Sequence, residues 1–300
     1  MSENNETKKK AHQNYWQCLE QGAVWPLISP IIIKAWGPDA FRFLNGQITN
    51  NLKLLTPSHS LYSAIVTPKG KLCAAIYLAT PDNKTFYLNG VPTFKEILPA
   101  RLEKYLIADD AILEDVSDKL FLIHAWGKAA QTLPTPLFKT QNNRLGFEGM
   151  DFFYENPPDL SRFLICEEDT AETFRIEGGI PKWGAELNEN VLPPEVGFEE
   201  RWISYQKGCY TGQEIIARLK SVGQVNRKLI GIEIENYPIK PPQPLLQNGK
   251  PIGQITSVTY SPRLEKGIAL AYIRRQSAQE NVKTYVENHE VTLVKLPFIP

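Results

Sequence analysis

The chain has 300 residues, of which 42% are hydrophobic and 22% are charged. This composition is typical of a soluble globular protein with about two domains, and it excludes bulk disorder. The 33 basic and 33 acidic residues cancel, so no global charge would attract nucleic acid or an anionic membrane. We therefore expect no direct nucleic-acid binding, and any anion site has to be local.

The first part of the chain predicts an αβ core that follows a polar tail. Residues 1–23 are expected to form that tail. Apolar residues at helical spacing predict a short helix over 37–52. Strand-like runs alternate with turn residues over 60–89 and predict an antiparallel meander. An apolar stripe over 92–107 predicts an amphipathic helix, kinked at Pro99.

The middle of the chain adds further strands. Residues 111–116 and 119–126 both have strand character, and His124 in the second run is expected to be accommodated in a sheet. Residues 135–158 mix aromatic and turn residues and resist assignment. Strand character returns over 161–168.

Short strands at near-regular spacing dominate the C-terminal part. Asn248-Gly249 is a strong signal for a two-residue hairpin turn. This spacing predicts a small β-barrel or sandwich. We therefore divide the chain into the tail, an αβ core at 24–228 and a β-barrel at 229–300.

Cysteine and histidine residues are too scattered to predict a metal centre. The four cysteines contain no CxxC pair, and the four histidines lie equally far apart. No zinc or iron–sulfur ligand set or disulfide framework is therefore evident, which favours a reducing compartment. No apolar run is long enough to span a membrane, and the N-terminal segment is not arginine-rich. We expect a cytoplasmic protein without membrane contact.

The stretch KGCYTGQE, residues 207–214, precedes a predicted helix. Thr211 and Glu214 match a capping box, which needs no functional explanation. The box does not explain why Cys209 stands close to Lys207. A thiol near a helix N-terminus and a lysine can be reactive, because both favour the thiolate. The alternative is that the cysteine packs as a small hydrophobic residue.

A basic cluster follows this stretch. Between Glu214 and Glu233 the charged residues are all cations, namely Arg218, Lys220, Arg227 and Lys228. They form either a solvated face or a site for a polyanion such as several phosphates or carboxylates.

The KGCYTGQE stretch matches in full the signature of the YgfZ-like folate-binding proteins, which the chain resembles. These proteins are relatives of the aminomethyltransferase, or T-protein, of the glycine cleavage system. The resemblance extends over about residues 28–274. Further similar segments are FLNGQITNNL (43–52), PKGK (68–71), RIEGGIPKWG (175–184) and VTYSPRLEKGIALAYI (258–273).

This resemblance implies an α+β protein with the T-protein-like folate-binding fold. Two αβ subdomains would surround a central cleft for tetrahydrofolate, and a small β-barrel would follow. The implied role is that of an accessory protein for the assembly or repair of iron–sulfur enzymes, including tRNA-modifying ones. Its partners would be folate, possibly polyglutamylated, and iron–sulfur client or assembly proteins.

The resemblance also implies functional residues. Cys209 is expected to act in catalysis with its thiol facing the cleft, and Glu177 to anchor the pteridine through two acceptors. The full set expected to bind the cofactor is Glu177, Lys207, Tyr210, Gln213 and Arg227.

Three departures from the T-protein pattern bear on activity. Cys73-Ala74 stands where T-proteins carry two aspartates, so we expect aminomethyl transfer to be absent. Asn51 stands where relatives often have aspartate, and the segment 165–175 is too short for the helix expected before the glutamate motif, which would affect one wall of the folate cleft. Two alternatives stay open: a folate-dependent one-carbon transferase or demethylase, and a non-catalytic scaffold that binds a protein partner.

Overall fold

The structure, a computed structural model, describes residues 2–197, 199–221, 223, 225–235, 239–277 and 283–299, with side chains from residue 12 onward. The described chain forms two open antiparallel sheets and one closed barrel. Its helices, α1 to α7, are Ser2–Gln21, Ala40–Gln47, Ile97–Glu103, Gly127–Thr132, Glu168–Glu177, Glu199–Trp202 and Gln213–Ser221. Its strands, β1 to β15, are Val24–Pro26, Ile31–Trp36, Leu61–Val66, Leu72–Ala79, Phe86–Gly90, Ile112–Asp115, Phe121–Ala125, Phe138–Asn142, Gly149–Tyr154, Arg227–Ile234, Gln243–Gln247, Lys250–Ser261, Lys266–Arg274, Thr284–Val286 and His289–Val294.

The first sheet has the strand order β3-β4-β5-β2-β6. β3, β4 and β5 pair in chain order, which confirms the meander predicted for 60–89. One face of this sheet is covered by α2 and α3, whose Phe43, Leu44, Leu98 and Leu102 are buried in its core. The other face is left for the cleft and the C-terminal elements.

Both predicted helices of this subdomain are shorter than expected. α2 ends at Gln47 because Ile48 is extended and its chain continues toward the sheet. α3 begins only at Ile97, after a separate 3₁₀ turn at Pro92–Phe94. Pro99 therefore lies in the first turn of α3, where its missing N–H has no helical partner to lose and causes no kink.

The second sheet has the order β1-β7-β9-β8. Its central strand β7 confirms the run predicted at 119–126, whereas the unassigned segment 135–158 forms the β8–β9 hairpin. The strand predicted at 161–168 is wrong: among the described residues only the isolated bridge between Val24 and Ile165 forms there. The two sheets pack on each other through a shared cluster that includes Ile32, Tyr87, Leu122 and Phe153.

The N-terminal segment is a helix instead of the expected polar tail. Within α1, Tyr15 and Cys18 are 1% and 0% exposed. Both residues pack in a cluster with Ala171 and Phe174 of α5. Their helical spacing places them on one face, so the second half of α1 belongs to the core.

The C-terminal barrel closes in the order β10-β13-β12-β11-β14-β15. Asn248 and Gly249 join β11 and β12 with φ values of 49° and 72°, the left-handed pair that a type I′ turn requires. The barrel begins at Arg227, slightly before the predicted position. It packs on α5, where the Thr173 and Thr259 hydroxyl oxygens lie 2.8 Å apart.

Candidate functional site

A cleft of about 390 Å³ lies between the two sheets, with α5 along one side. Its walls are largely apolar and aromatic, and a few charged side chains interrupt them. The apolar and aromatic lining includes Trp25, Leu27, Tyr62, Tyr77, Val91, Leu145, Ile180, Trp183 and Leu187. The charged lining residues are Arg144, Glu168, Glu172, Arg175 and Lys182.

The alternation of β4 builds one aromatic wall. Ala74 and Ile76 are buried in the core under the sheet, whereas Ala75 and Tyr77 face the cleft. Tyr62 pairs with Tyr77 across β3 and β4, and their rings lie 4.6 Å apart. The pair therefore gives the cleft a preformed aromatic wall.

An ion-pair cluster at α5 forms another wall. The Arg175 Nη2 and Nε atoms donate to Glu172 Oε1 and Oε2 at 2.5 and 2.9 Å. Lys182 Nζ adds a bond of 3.3 Å to Oε2. Burial would raise the pKa of Glu172, but these cations outweigh burial and hold the pKa below its usual value. Glu172 is therefore an ionised carboxylate beside the cleft.

Arg144 brings a buried positive charge to the cleft. It is 7% exposed and lies over the Tyr77 ring, with its guanidinium carbon 4.2 Å from the ring centroid. Its Nε and Nη2 atoms donate to Asp151 at 2.8 to 3.0 Å, and Nη2 also donates to Asn89 at 2.5 Å. A guanidinium fixed by a carboxylate in this way is a rigid donor in the wall.

The KGCYTGQE stretch lies at a junction with two other segments that the sequence analysis singled out. Lys207 Nζ donates to the backbone oxygens of Asn45, Ile48 and Asn50 at 2.5, 2.8 and 2.8 Å, all within FLNGQITNNL. Burial lowers the pKa of Lys207 to about 7. Lys207 thus clamps the loop after α2, which gives this lysine a structural role.

The second glycine of this stretch, Gly212, allows its close contact with the β3–β4 turn. Gly212 has a φ of 81°, and a Cβ there would lie 2.4 Å from the backbone oxygen of Thr67. Because α7 begins only at Gln213, the expected cap position of Thr211 lies outside the helix. The predicted capping box is therefore not formed among the described residues. Gln213 is half-buried, and its backbone N–H donates to the backbone oxygen of Tyr210 at 3.2 Å.

Cys209 is exposed, so its thiol is not packed in the core. The lining of the cleft, all of it within the described residues, does not include Cys209. Tyr210, next in the chain, is buried and its ring lies 5.0 Å from Lys207 Nζ. The structure thus brings Lys207, Cys209, Tyr210 and Gln213 together at the junction but not at the cleft.

Glu177 lies in a different place again. It is 3% exposed at the end of α5 and accepts hydrogen bonds from Tyr15 Oη at 2.9 Å and from Ser261 Oγ at 2.5 Å. Burial raises the pKa of this carboxyl group. Glu177 thereby joins α1, α5 and the barrel, and it is absent from the described lining of the cleft. Its assignment as the pteridine anchor stays a prediction.

The basic cluster is partly neutralised by acids from earlier in the chain. Arg227 donates to Glu195 Oε2 through Nη2 at 3.0 Å and lies over the Tyr272 ring at 4.4 Å. Lys220 pairs with Glu199 at 3.0 Å. The acids lie upstream of the segment considered in the sequence, so the local count of charges could not reveal them.

Sequence reasoning missed the charged residues that do line the cleft. Glu172 and Arg175 are one helical turn apart on α5, a spacing that favours an ion pair. Arg144 and Asp151 lie on the β8–β9 hairpin, which had no assignment. Among the described residues, histidine, cysteine and acidic side chains form no group of three or more that could hold a metal ion. None of the described helices is long and apolar enough to cross a membrane.

Comparison with known proteins adds independent evidence. Residues 227–299 match the glycine cleavage T-protein C-terminal barrel domain. The aminomethyltransferase of Rippkaea orientalis is 26% identical over an alignment 311 residues long, gaps included. The alignment covers 87% of this chain and 82% of that protein. The aminomethyltransferase of Aquifex aeolicus is 27% identical over 283 residues, covering 84% and 77%.

A solved structure shows the same fold. The glycine cleavage system aminomethyltransferase T from Bartonella henselae superposes with a TM-score of 0.84 at 17% identity, covering 96% of this chain and 89% of that one. The expected fold is thus confirmed: the chain has the T-protein-like α+β fold, ends in the barrel of that fold, and is related in sequence to the aminomethyltransferases.

Proposed function

We propose that the cleft binds tetrahydrofolate and that the chain acts in folate-dependent one-carbon transfer. The carrying observation is the cleft itself, which lies between the two sheets of a T-protein-like fold and combines aromatic walls with an ionised carboxylate. The sequence relationship to aminomethyltransferases supports this choice over the iron–sulfur role. When bound, tetrahydrofolate would serve as the carrier of the one-carbon unit.

The residues of the cleft fit a pteridine. This ring is flat, and it presents an N–H and an amino group side by side. Glu172 offers two acceptor oxygens in the wall, and a carboxylate that accepts such a pair forms charge-assisted bonds. Tyr62, Tyr77 and Trp183 supply aromatic surface. We propose Glu172 as the anchor in place of Glu177, because Glu172 lines the cleft and Glu177 is not in the described lining.

The reaction is expected to be slow on aminomethyl donors. Cys73 lies at a β-bulge between β3 and β4, where it packs against the core cluster of α2 and α3 and contacts Arg101. The aspartate that T-proteins carry at this position is absent here. Without it, general acid–base assistance worth roughly 10²- to 10⁴-fold is missing. The missing aspartates at Cys73-Ala74 alone predict no aminomethyl transfer. Because the chain is similar in sequence to aminomethyltransferases, we expect reduced transfer instead.

An aminomethyl-transfer assay tests this function. The purified chain is mixed with aminomethylated lipoyl carrier protein and tetrahydrofolate, and methylene-tetrahydrofolate is measured against an aminomethyltransferase relative. We expect detectable product at a rate lower by roughly 10²-fold or more. Tetrahydrofolate binding without any product above the protein-free reaction would reject the transferase and leave a folate-binding accessory protein.

The exposed thiol of Cys209 favours a second candidate function, the support of iron–sulfur enzymes. A conserved-volume change, Cys209→Ser, is expected to fold normally but to fail to restore iron–sulfur enzyme activity in cells that lack the protein. Cys166→Ser, at a buried position, is the matched control and should restore the activity. Full complementation by Cys209→Ser would reject a functional thiol.

We propose further that the basic cluster meets the glutamate tail of polyglutamylated folate. Arg218 and Lys228 are exposed, and each added glutamate brings another carboxylate. Affinity should then rise with tail length, and salt should reduce the gain. Equal affinities for mono- and polyglutamyl folate at low salt would assign the cluster to a solvated face.

A further inference from the structure

A row of buried side chains crosses the second sheet behind the cleft. His124 of β7 lies opposite Asp151 of β9, and Asp151 lies opposite Thr140 of β8. Cross-strand partners share a face of the sheet, so these side chains stand next to one another. All three are at most 1% exposed. Burying a charge at such a position is costly unless the charge is paired and hydrogen-bonded.

Asp151 is the centre of this row. Besides the Arg144 bonds, its Oδ2 accepts from Asn142 Nδ2 at 2.6 Å, and its Oδ1 lies 2.9 Å from His124 Nδ1. Burial would raise the pKa of Asp151, but the Arg144 charge and the bonds from His124 and Arg144 hold it below its usual value. Asp151 is therefore a carboxylate, which can only accept, and His124 must donate through Nδ1.

His124 contacts Asp151 and packs closely against Gly149 of β9. Burial lowers its pKa, so the ring is neutral near pH 7 and its proton is on Nδ1. Nε2 then carries a lone pair, and it has no hydrogen-bond partner within the described structure. A Cβ at Gly149 would lie 2.5 Å from Nε2, so only glycine fits beside the ring. The Gly149 backbone thus packs closely against the imidazole, and Asp151 holds its Nδ1.

Arg144 connects this buried row of side chains to the cleft. Its Nε and Nη2 atoms are held by Asp151 and Asn89, and the Tyr77 ring covers its face. Nη1 makes no hydrogen bond to any described residue, and Arg144 lines the cleft. The two N–H groups of Nη1 are therefore the part of this guanidinium available to a ligand.

We infer that Arg144 Nη1 donates to an oxygen acceptor of the ligand in the cleft, with Asp151 and His124 as positioning residues that hold the guanidinium in place. The inference rests on the proposed function for the identity of the ligand. In tetrahydrofolate the acceptor is the 4-oxo oxygen of the pteridine, next to the N–H assigned to Glu172. A purely structural network would fix the hairpin without contacting any ligand.

A pair of ligands separates these two roles. The 4-amino analogue of tetrahydrofolate replaces the acceptor oxygen by a donor and the neighbouring ring N–H by an unprotonated nitrogen, so the share of Arg144 is read from the change in the affinity ratio between variants. Dissociation constants for both ligands are measured by calorimetry. The wild type should prefer the 4-oxo ligand by roughly 10- to 100-fold, as expected for a hydrogen bond to a charged group. Arg144→Met should reduce this preference by roughly 10-fold or more, and the part that comes from the Glu172 contact should remain.

The positioning residues are tested by the same ratio. Asp151→Asn and His124→Gln should each reduce the preference by roughly three-fold or more, although Arg144 is still present. Because Arg144→Met leaves Asp151 without its cation, the double variant Arg144→Met with Asp151→Asn gives a second measurement free of an unpaired charge. Arg101→Met is the matched control: this arginine lies over Tyr105 and binds Gln47 outside the cleft lining, so its loss should leave the ratio unchanged.

The outcomes separate this inference from the proposed function. If the wild type binds neither ligand, the proposed function fails, and the inference fails with it. If the wild type binds tetrahydrofolate but the folded Arg144→Met and double variants keep the wild-type ratio, only the inference is overturned. A loss of affinity that is equal for both ligands would likewise assign the network to structure alone.

Discussion

Lys207 Nζ donates to the backbone oxygen of Ile48 across 159 residues of sequence, at 2.8 Å. Two more carbonyls, from Asn45 and Asn50, complete a three-acceptor site for the ammonium. This contact fastens the KGCYTGQE stretch to the loop after α2. Most of that stretch is thereby explained by structure, and Cys209 is left exposed beside the clamp.

Replacing Lys207 should destabilise the fold. Lys207→Met removes the shared donor and leaves three backbone carbonyls without it, at a cost of about 3 kcal/mol in the free energy of unfolding. Lys220→Met is the matched control, because Lys220 pairs with Glu199 at a more exposed site and should cost under about 1 kcal/mol. Urea denaturation measures both. Equal effects of the two variants would contradict the clamp.

The four cysteines should differ sharply in reactivity. Cys209 is exposed, Cys73 is half-buried, and Cys18 and Cys166 are buried. Iodoacetamide should therefore modify Cys209 first in the native protein, and Cys18 and Cys166 only after unfolding. Mass spectrometry of timed samples locates each adduct. Fast labelling that persists in Cys209→Ser would show that another thiol is the accessible one.

The buried His124–Asp151 pair should make the fold sensitive to acid. The pKa of His124 is lowered in the folded state, so below about pH 6.5 the unfolded chain binds this proton more readily and stability falls. The pKa of Asp151 is also lowered, and its contribution is lost as the pH falls below about 4. His124→Gln should flatten the upper part of the profile and keep the lower part. An unchanged slope between pH 7 and 5 in this variant would contradict the neutral buried imidazole.

The two candidate anchors predict different consequences when they are neutralised. Glu172→Gln should weaken tetrahydrofolate binding by roughly 2 kcal/mol, because it removes an ionised acceptor pair from the cleft wall. Glu177→Gln should mainly lower stability, because Tyr15 and Ser261 lose a shared carboxylate. Calorimetry and urea denaturation on both variants separate the effects. Weakened binding by Glu177→Gln without loss of stability would restore the assignment made from the family resemblance.

Local patterns in the sequence predicted the parts of the fold that local physics determines. The meander and the barrel follow from strand runs with period two, and the Asn248-Gly249 turn follows from the left-handed conformation these residues tolerate. By contrast, α1 has only a few apolar residues, and its partner Phe174 comes from far along the chain. No local pattern could reveal that contact.

The candidate site was harder to predict because tertiary structure assembles it. Glu172 lies on α5 and Arg144 lies on the β8–β9 hairpin. The two residues line one cleft only after the chain has folded. The partners of Lys207 are backbone carbonyls, which leave no mark in a sequence. The residues of the signature were recognisable as a motif, but recognition could not distinguish a clamp from a binding site.

Binding of tetrahydrofolate in the cleft is the central claim, and calorimetric titration of the purified chain tests it most directly. We expect a single site per chain, with affinity reduced roughly ten-fold or more by Trp183→Ala, which removes aromatic surface from the wall. Ile97→Ala, at an exposed position on α3, should bind as the wild type does. No heat of binding in the folded wild type, or equal affinity in the Trp183→Ala variant, would show that the cleft is not the tetrahydrofolate site.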